Sequence, residues 1–444
     1  MNTDWLWMTA AELGRGLGDG AIDARDLTET YLTAISEHPE TGRIFTHVTA
    51  DRARAEAAAA QERAQKGVRR GPLDGIPLSW KDLFDTAGVP TESGSLLLKG
   101  RVPERDGAVV ARAARAGMVC LGKTHQTELA FSGLGVNPKT QTPPNVYDAK
   151  LAPGGSSSGA ATSVAFGLSV AGIGSDTGGS VRVPSAWNGL VGLKTTEKVV
   201  SLEGVVPLCP RFDTIGPLCR SVEDAGLILA ALTDGKVADL AEIPARDLRV
   251  LVLGTEDIGP TEMEVTENFG NAVNMLEDAG VRLTYGGPDY LKDVLDLSSC
   301  VFTSEAWATW GDEIDANPGA MSDQVRTRFE IGRVWSASDF IKAWQRLNGY
   351  RARYAMDVAG YDLVILPTAP VAPPNVERLL EDGDYFREVN LQVLRNTRIA
   401  NLLGLCAISL PVREMPGFGL MAMGAAGQDR KLLRQARVLE RILS

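Results

Sequence analysis

Two glycine-rich turns within residues 151–184 carry the side chains best suited to chemistry. The first reads Gly154-Gly155-Ser156-Ser157-Ser158-Gly159 and the second Gly174-Ser175-Asp176-Thr177-Gly178-Gly179-Ser180. Glycines permit sharp turns and let backbone N–H groups approach a ligand closely. A serine in such a turn is either hydrogen-bonding punctuation or a nucleophile. Residues 160–173, between the turns, are small or apolar almost throughout and should hold the two turns in register.

Three chemistries use serines in such a setting. A phosphate cradle of the GxxxxGK[ST] type needs a lysine after its second glycine, and Ala160 and Ser180 stand there instead. No GxGxxG follows a strand here either. A nucleophile elbow of the GxSxG type matches residues 155–159, with Ser157 as its serine, but needs a histidine later in the chain. The three histidines are His38, His47 and His125, so that base is missing. The remaining chemistry uses a neutral lysine to deprotonate serine. A free lysine has a pKa of about 10.4, and lowering it by about 3 units takes roughly 4 kcal/mol of desolvation. Lys81 is the natural candidate: it follows the turn-rich segment 71–77 and sits near the end of an apolar strand, 78–82. A lysine without such a duty would face solvent. The run Thr177-Gly178-Gly179-Ser180 offers successive N–H groups free of bulk, as an oxyanion requires.

These residues, taken together, resemble the amidase signature family of serine hydrolases. The resemblance is carried by Lys81-Asp82 after Gly75-Ile76-Pro77, by Gly154-Gly155-Ser156-Ser157, and by the run from Gly174 to Arg182. Lys81 and Ser180 lie 99 residues apart, and Ser156 and Ser180 lie 24 apart, in keeping with that family. The resemblance implies a Ser–cis-Ser–Lys triad with Ser180 as nucleophile, Ser156 as the relay and Lys81 as the proton acceptor. It implies an oxyanion hole from Thr177, Gly178 and Gly179 with the N–H of Ser180, and no cofactor or metal. Ser157, Asp176 and Arg182 also match, either as supports of the site or in ordinary turn and ion-pair roles. Two departures stand out. Ser158 and Ala160 replace a glycine and a serine common in the family, and His125 replaces an asparagine. His125 is then a structural histidine or a substrate contact.

The elements that must position these groups alternate. Thr9-Ala10-Ala11-Glu12 fits a capping box, and a second helix begins near Asp23. Apolar strands are expected at 44–48, 78–82, 118–121, 248–253, 281–284, 363–367, 406–410 and 420–423. Helices are expected at 51–66, 106–116, 221–232, 262–279, 385–403 and 429–443, with helical patterns across 304–358. The loop 133–144 is long enough to be functional. Short strands alternating with helices argue for an α/β layered fold. The resemblance sharpens this to one large domain, 1–444, with a central mixed twisted sheet flanked by helices on both faces, a signature core at about 70–230 and a variable pocket region at about 300–360.

Composition bounds the partners. The chain has 444 residues and a formal net charge of −11, with charges of both signs interleaved, which argues against nucleic acid or an anionic membrane. No apolar run reaches 18 residues, and the start of the chain lacks a basic leader. The five cysteines form no CxxC pair and read as reduced thiols of a cytoplasmic protein. The expected substrate is a small amide, anilide, aryl ester or carbamate, hydrolysed by a monomer or homodimer. Residues Ala130, Phe131, Ser132 and Gly133 are expected to line its pocket without charge, with Met321, Val334, Trp335 and Phe340 as apolar walls. The amidase subunit of a tRNA-dependent amidotransferase is the competing assignment within the family, and a catalytically silent scaffold the one outside enzymes.

Overall fold

The computed structural model describes residues 2–255 and 258–444. Its strands are β1 (Phe45–Val48), β2 (Pro77–Lys81), β3 (Val119–Thr124), β4 (Ala171–Asp176), β5 (Val191–Lys194), β6 (Thr214–Cys219), β7 (Arg249–Leu253), β8 (Arg282–Gly286), β9 (Leu363–Pro367), β10 (Cys406–Pro411) and β11 (Gly419–Gly424). All eleven join one sheet in the order β1-β3-β2-β4-β6-β5-β10-β11-β9-β7-β8. The sheet is mixed: β2 runs parallel to β3 and β4, whereas β4 is antiparallel to β6 and β10 to β11. Helices flank it, as the alternation of elements requires. Every residue of β2, β3, β4 and β6 is buried, so the centre of the sheet is covered on both faces. Strands buried in this way read as unbroken apolar runs, and a polar residue among them is carried into the core.

The expected helix starts are built as the sequence dictates. The N–H of Glu12 donates to Thr9 Oγ1 over 3.1 Å, and Glu12 Oε2 accepts from the Thr9 N–H at 2.8 Å. Asp23 and Ser221 cap the helices Ala24–Glu37 and Val222–Thr233 through their side chains.

Strands β5 and β6 are not among those expected, and two other stretches depart from the sequence pattern in ways that bear on the site. Residues 160–173 form two elements: a helix, Ser158–Ala165, and strand β4, with the reversal eased by Gly167 at φ 72°. The small side chains let the helix lie directly on the strand, for a Cβ at Gly172 would come within 2.5 Å of the Ala160 carbonyl oxygen. Residues 385–403 form two helices, Gly383–Val393 and Arg395–Leu402, broken at Leu394. The break redirects the chain so that Thr397, Arg398 and Asn401 lie against the second turn.

Among the described residues no helix is long and apolar enough to cross a membrane, and no cluster of His, Cys, Asp or Glu is placed to hold a metal ion. All five cysteines are free thiols and buried.

Candidate active site

The register of two parallel strands assembles the site. Leu78 lies opposite Ala171, Ser79 opposite Gly172 and Trp80 opposite Ile173, so the carboxyl ends of β2 and β4 finish side by side. Ligands of open α/β sheets bind at such ends. Lys81 closes β2, while Ser175 and Asp176 close β4. The Lys81 ammonium is fully buried and lies 2.8 Å from Ser156 Oγ and 2.8 Å from Ser175 Oγ. Loss of water around the charged form pushes Lys81 down to about 7, while Asp176 and Asp213 pull the other way. About half of such a lysine is neutral at pH 7 and able to accept a proton. Two further lysines are fully buried but serve elsewhere. Lys123 donates to Thr91 Oγ1 and faces Asp82, and Lys194 donates to the carbonyls of Thr195 and Leu405.

The first turn presents Ser156 to Lys81. The Gly155–Ser156 peptide is cis. The turn is fixed by its backbone: Gly155 N–H donates to the Gly133 carbonyl at 2.8 Å, and the Ser156 carbonyl accepts from Thr127 N–H at 3.1 Å. Ser157 braces the two turns against each other, donating its N–H to the Ser180 carbonyl and its Oγ to the Ser175 carbonyl, each over 3.2 Å. No side chain fits at Gly155, where a Cβ would lie 2.6 Å from the Gly135 nitrogen. Ser158 opens the helix. His125 sits behind this turn, its carbonyl accepting from Gly159 N–H, and burial pushes its imidazole down to about 4. It lines neither of the spaces beside Ser180.

Asp176 organises the second turn. One carboxylate oxygen accepts from Gly179 N–H at 2.8 Å and the other from Val181 N–H at 3.1 Å. Arg182 adds a two-pronged ion pair, Nη2 to Oδ1 at 2.9 Å and Nε to Oδ2 at 3.0 Å, with both side chains fully buried. Burial raises the pKa of Asp176, but Arg182, together with Lys194 and Asn401, outweighs it and holds the carboxyl well below the usual carboxylate range. Thr177 Oγ1 donates to Asp213 Oδ1 at 2.5 Å; burial raises the Asp213 pKa, and the Thr177 bond opposes the rise.

One donor expected for the oxyanion is engaged elsewhere. The Gly179 N–H is already given to Asp176, so Gly179 shapes the turn rather than facing the reacting carbonyl. Its φ of 137° and the 2.2 Å that would separate a Cβ from Thr397 Oγ1 both demand glycine. The N–H groups of Thr177, Gly178 and Ser180 have no internal partner among the described residues.

Ser180 faces a narrow recess lined also by Ala130, Phe131, Ser132, Thr177 and Gly178. Gly133 lies behind this wall, its N–H bonded to Asn390 Oδ1 and its Cβ space filled by Leu394. A larger cavity of about 250 Å³ adjoins the recess, sharing Phe131, Phe302, Arg328 and Arg398. The expected walls Met321, Val334, Trp335 and Phe340 line neither space. Met321 is buried elsewhere, Val334 is exposed, and Phe340 packs edge-on against Trp344. The region 300–360 does reach the pocket, but through Phe302, Thr303, Thr327, Arg328 and Ile331. Residues 130–132 line the recess without charge, but Arg328 and Arg398, with Arg387 in the larger cavity, bring charge to the pocket from distant helices.

Ser175, which lies within the second motif but is given no role there, joins the site, as do Asp213, Arg328, Thr397 and Arg398, which lie outside the motifs. Ser175 is legible in principle: it lies two residues beyond Ile173 on a parallel neighbour of Lys81. The others come from separate segments with no spacing that links them to the turns.

A buried lysine–serine contact beside a serine in a glycine turn, on a mixed sheet of this order, defines a class. The chain belongs to the amidase family, the amidase signature hydrolases, whose model, Amidase, matches residues 26–433. Over 459 residues it is 34% identical to the 2-amino-5-chloromuconic acid deaminase of Comamonas testosteroni, covering 98% of this chain and 97% of that protein. It is 32% identical to a glutamyl-tRNA(Gln) amidotransferase subunit of Cereibacter sphaeroides strain KD131, covering 98% of this chain and 96% of that one. A crystal structure of an amidase superposes with a TM-score of 0.88 at 29% identity, covering 98% of this chain and all of that one. The peptide amidase of Stenotrophomonas maltophilia shares the fold, with a TM-score of 0.81 at 24% identity over 100% of this chain and 98% of that one.

Proposed function

We propose that the protein hydrolyses the C–N bond of small carboxylic amides through an acyl-enzyme on Ser180, acting without partner subunits. The observation that carries this reading is the buried Lys81 ammonium, depressed to about 7 and 2.8 Å from Ser156 Oγ. Ser180 Oγ attacks the carbonyl carbon and passes its proton to Ser156, whose own proton goes to neutral Lys81. The carbonyl oxygen takes the negative charge and is met by the free N–H groups of Thr177, Gly178 and Ser180. Collapse breaks the C–N bond, Ser156 returns a proton to the nitrogen, and Lys81 reprotonates Ser156. Water then enters by the same relay and releases the acid. Anilides, aryl esters and carbamates fit the same steps, since only the leaving atom changes. No metal or cofactor takes part in this scheme, and we place the enzyme in the cytoplasm as a monomer or homodimer.

The second reading, an amidotransferase subunit that works only with its partners, is favoured by 32% identity to one such protein over 98% of the chain. A silent scaffold is disfavoured by the assembled Lys81, Ser156 and Ser180. The test is turnover by the purified chain alone against amides, p-nitroanilides, aryl esters and carbamates. Hydrolysis supports the stand-alone enzyme. Activity that emerges only on adding partner subunits supports the second reading.

A further inference from the structure

We propose that Arg328 and Arg398 form a carboxylate subsite beside Ser180, and that the substrates are monoamides of dicarboxylic acids. This rests on the hydrolase reading and narrows its substrate. The two arginines come from different helices, Asp323–Glu330 and Arg395–Leu402, yet both line the recess that holds Ser180 and the cavity that adjoins it. Arg398 runs along the oxyanion turn, where a Cβ at Gly178 would meet its Cγ at 3.7 Å. Arg328 lies over the Phe131 ring, 4.5 Å from its centroid, and its Nη1 is buried without a hydrogen-bond partner.

Neither guanidinium faces a carboxylate among the described residues, although the chain carries a net charge of −11 and pairs the fully buried Arg182 with Asp176. Burial pushes Arg328 down to about 9, with Arg398 adding repulsion, and pushes Arg398 down to about 10. Arg387 also lines the larger cavity but is paired with Asp384; the two unpaired like charges, in a lining otherwise rich in apolar groups, are costly until an anion arrives. A planar carboxylate matches the guanidinium fork and relieves both. Phe131 and Phe302 between them suit a hydrocarbon linker, saturated or conjugated. No acidic side chain lines either space, so an ammonium on the substrate finds no partner. An amino-acid amide such as glutamine is therefore disfavoured against the same chain without its amine.

Three amides with one carbon skeleton test this: glutarate monoamide, glutamine and pentanamide. The monoamide should exceed both others about a hundredfold in kcat/KM, since a buried polar site rejects analogues that leave it unpaired. Arg328→Met and Arg398→Met should each erase most of that preference, while Arg398→Lys keeps part of it; thermal melts check that the variants fold. Calorimetry of glutarate on Ser180→Ala protein reads the anion site without chemistry, and binding should weaken at least tenfold with either Met substitution. Equal cleavage of pentanamide and the monoamide, or glutarate binding that ignores both substitutions, overturns the subsite. Glutarate binding that depends on the arginines in a protein that hydrolyses no amide upholds the subsite and sinks the hydrolase reading instead.

Discussion

The backbone N–H of Ser157 donates to the carbonyl of Ser180 over 3.2 Å, binding the relay turn to the nucleophile turn without using either reactive side chain. Chemistry and scaffolding are thus separable at Ser180.

Ser180→Ala should keep that backbone bond and the native melt, yet lose labelling by a fluorophosphonate and at least a thousandfold in kcat. Labelling that persists on another serine would reassign the nucleophile.

Lys81 sets the pH dependence. On the proposed mechanism catalysis requires its neutral form, so kcat/KM should rise with pH and level off above about 7. Stability carries a signature of the same group. The folded pKa lies below the ordinary 10.5, so between about 7 and 10.5 the unfolded chain binds the extra proton. Stability from this group therefore rises with pH across that window. Lys81→Met should be inactive, more stable than the parent at pH 7, and free of that rise; a rate profile climbing steadily to pH 10 would refute the depressed lysine.

On the proposed mechanism Ser175 positions the base, since its Oγ accepts from Lys81 Nζ at 2.8 Å. Ser175→Ala should cut kcat about tenfold with little change in KM, and should move the pH limb below its parent value because the charged lysine loses an acceptor. A structural role alone would lower the melt and leave the limb in place.

The candidate catalytic set is legible in the sequence because it lies in two short glycine turns and one strand end, where residue type and local spacing point to the chemistry. Strands such as Leu363–Pro367 are legible because full burial leaves an unbroken apolar run. The pocket is not. Arg398 reaches the site only because the helical pattern of 385–403 breaks at Leu394, and that break reflects packing against the second turn rather than any glycine or proline. Gly179 escapes sequence reasoning for a related reason: its N–H is spent on Asp176, a contact that follows from the turn's path and not from its composition.

Asp176→Asn removes the counter-charge from a fully buried Arg182. The expected loss is about 3–5 kcal/mol of stability, with activity falling in step as the Gly179 turn loosens. Urea unfolding of the two proteins compares them directly.

Gly179→Ala should be inactive and destabilised, because the residue sits at φ 137° and its Cβ would strike Thr397. Gly178→Ala, whose Cβ meets only Arg398 Cγ at 3.7 Å, should fold normally; equal melts for both variants would contradict the geometry.

Arg182 reaches beyond Asp176 to the carbonyl of Thr397 at 2.9 Å and to Asn401 Oδ1 at 2.6 Å. The turn that bears the nucleophile is therefore finished by residues more than 200 positions downstream. During synthesis the lysine, the relay and the nucleophile all leave the ribosome long before the helix that locks them. The order of synthesis thus separates the candidate reacting groups from the helix Arg395–Leu402 that completes their turn.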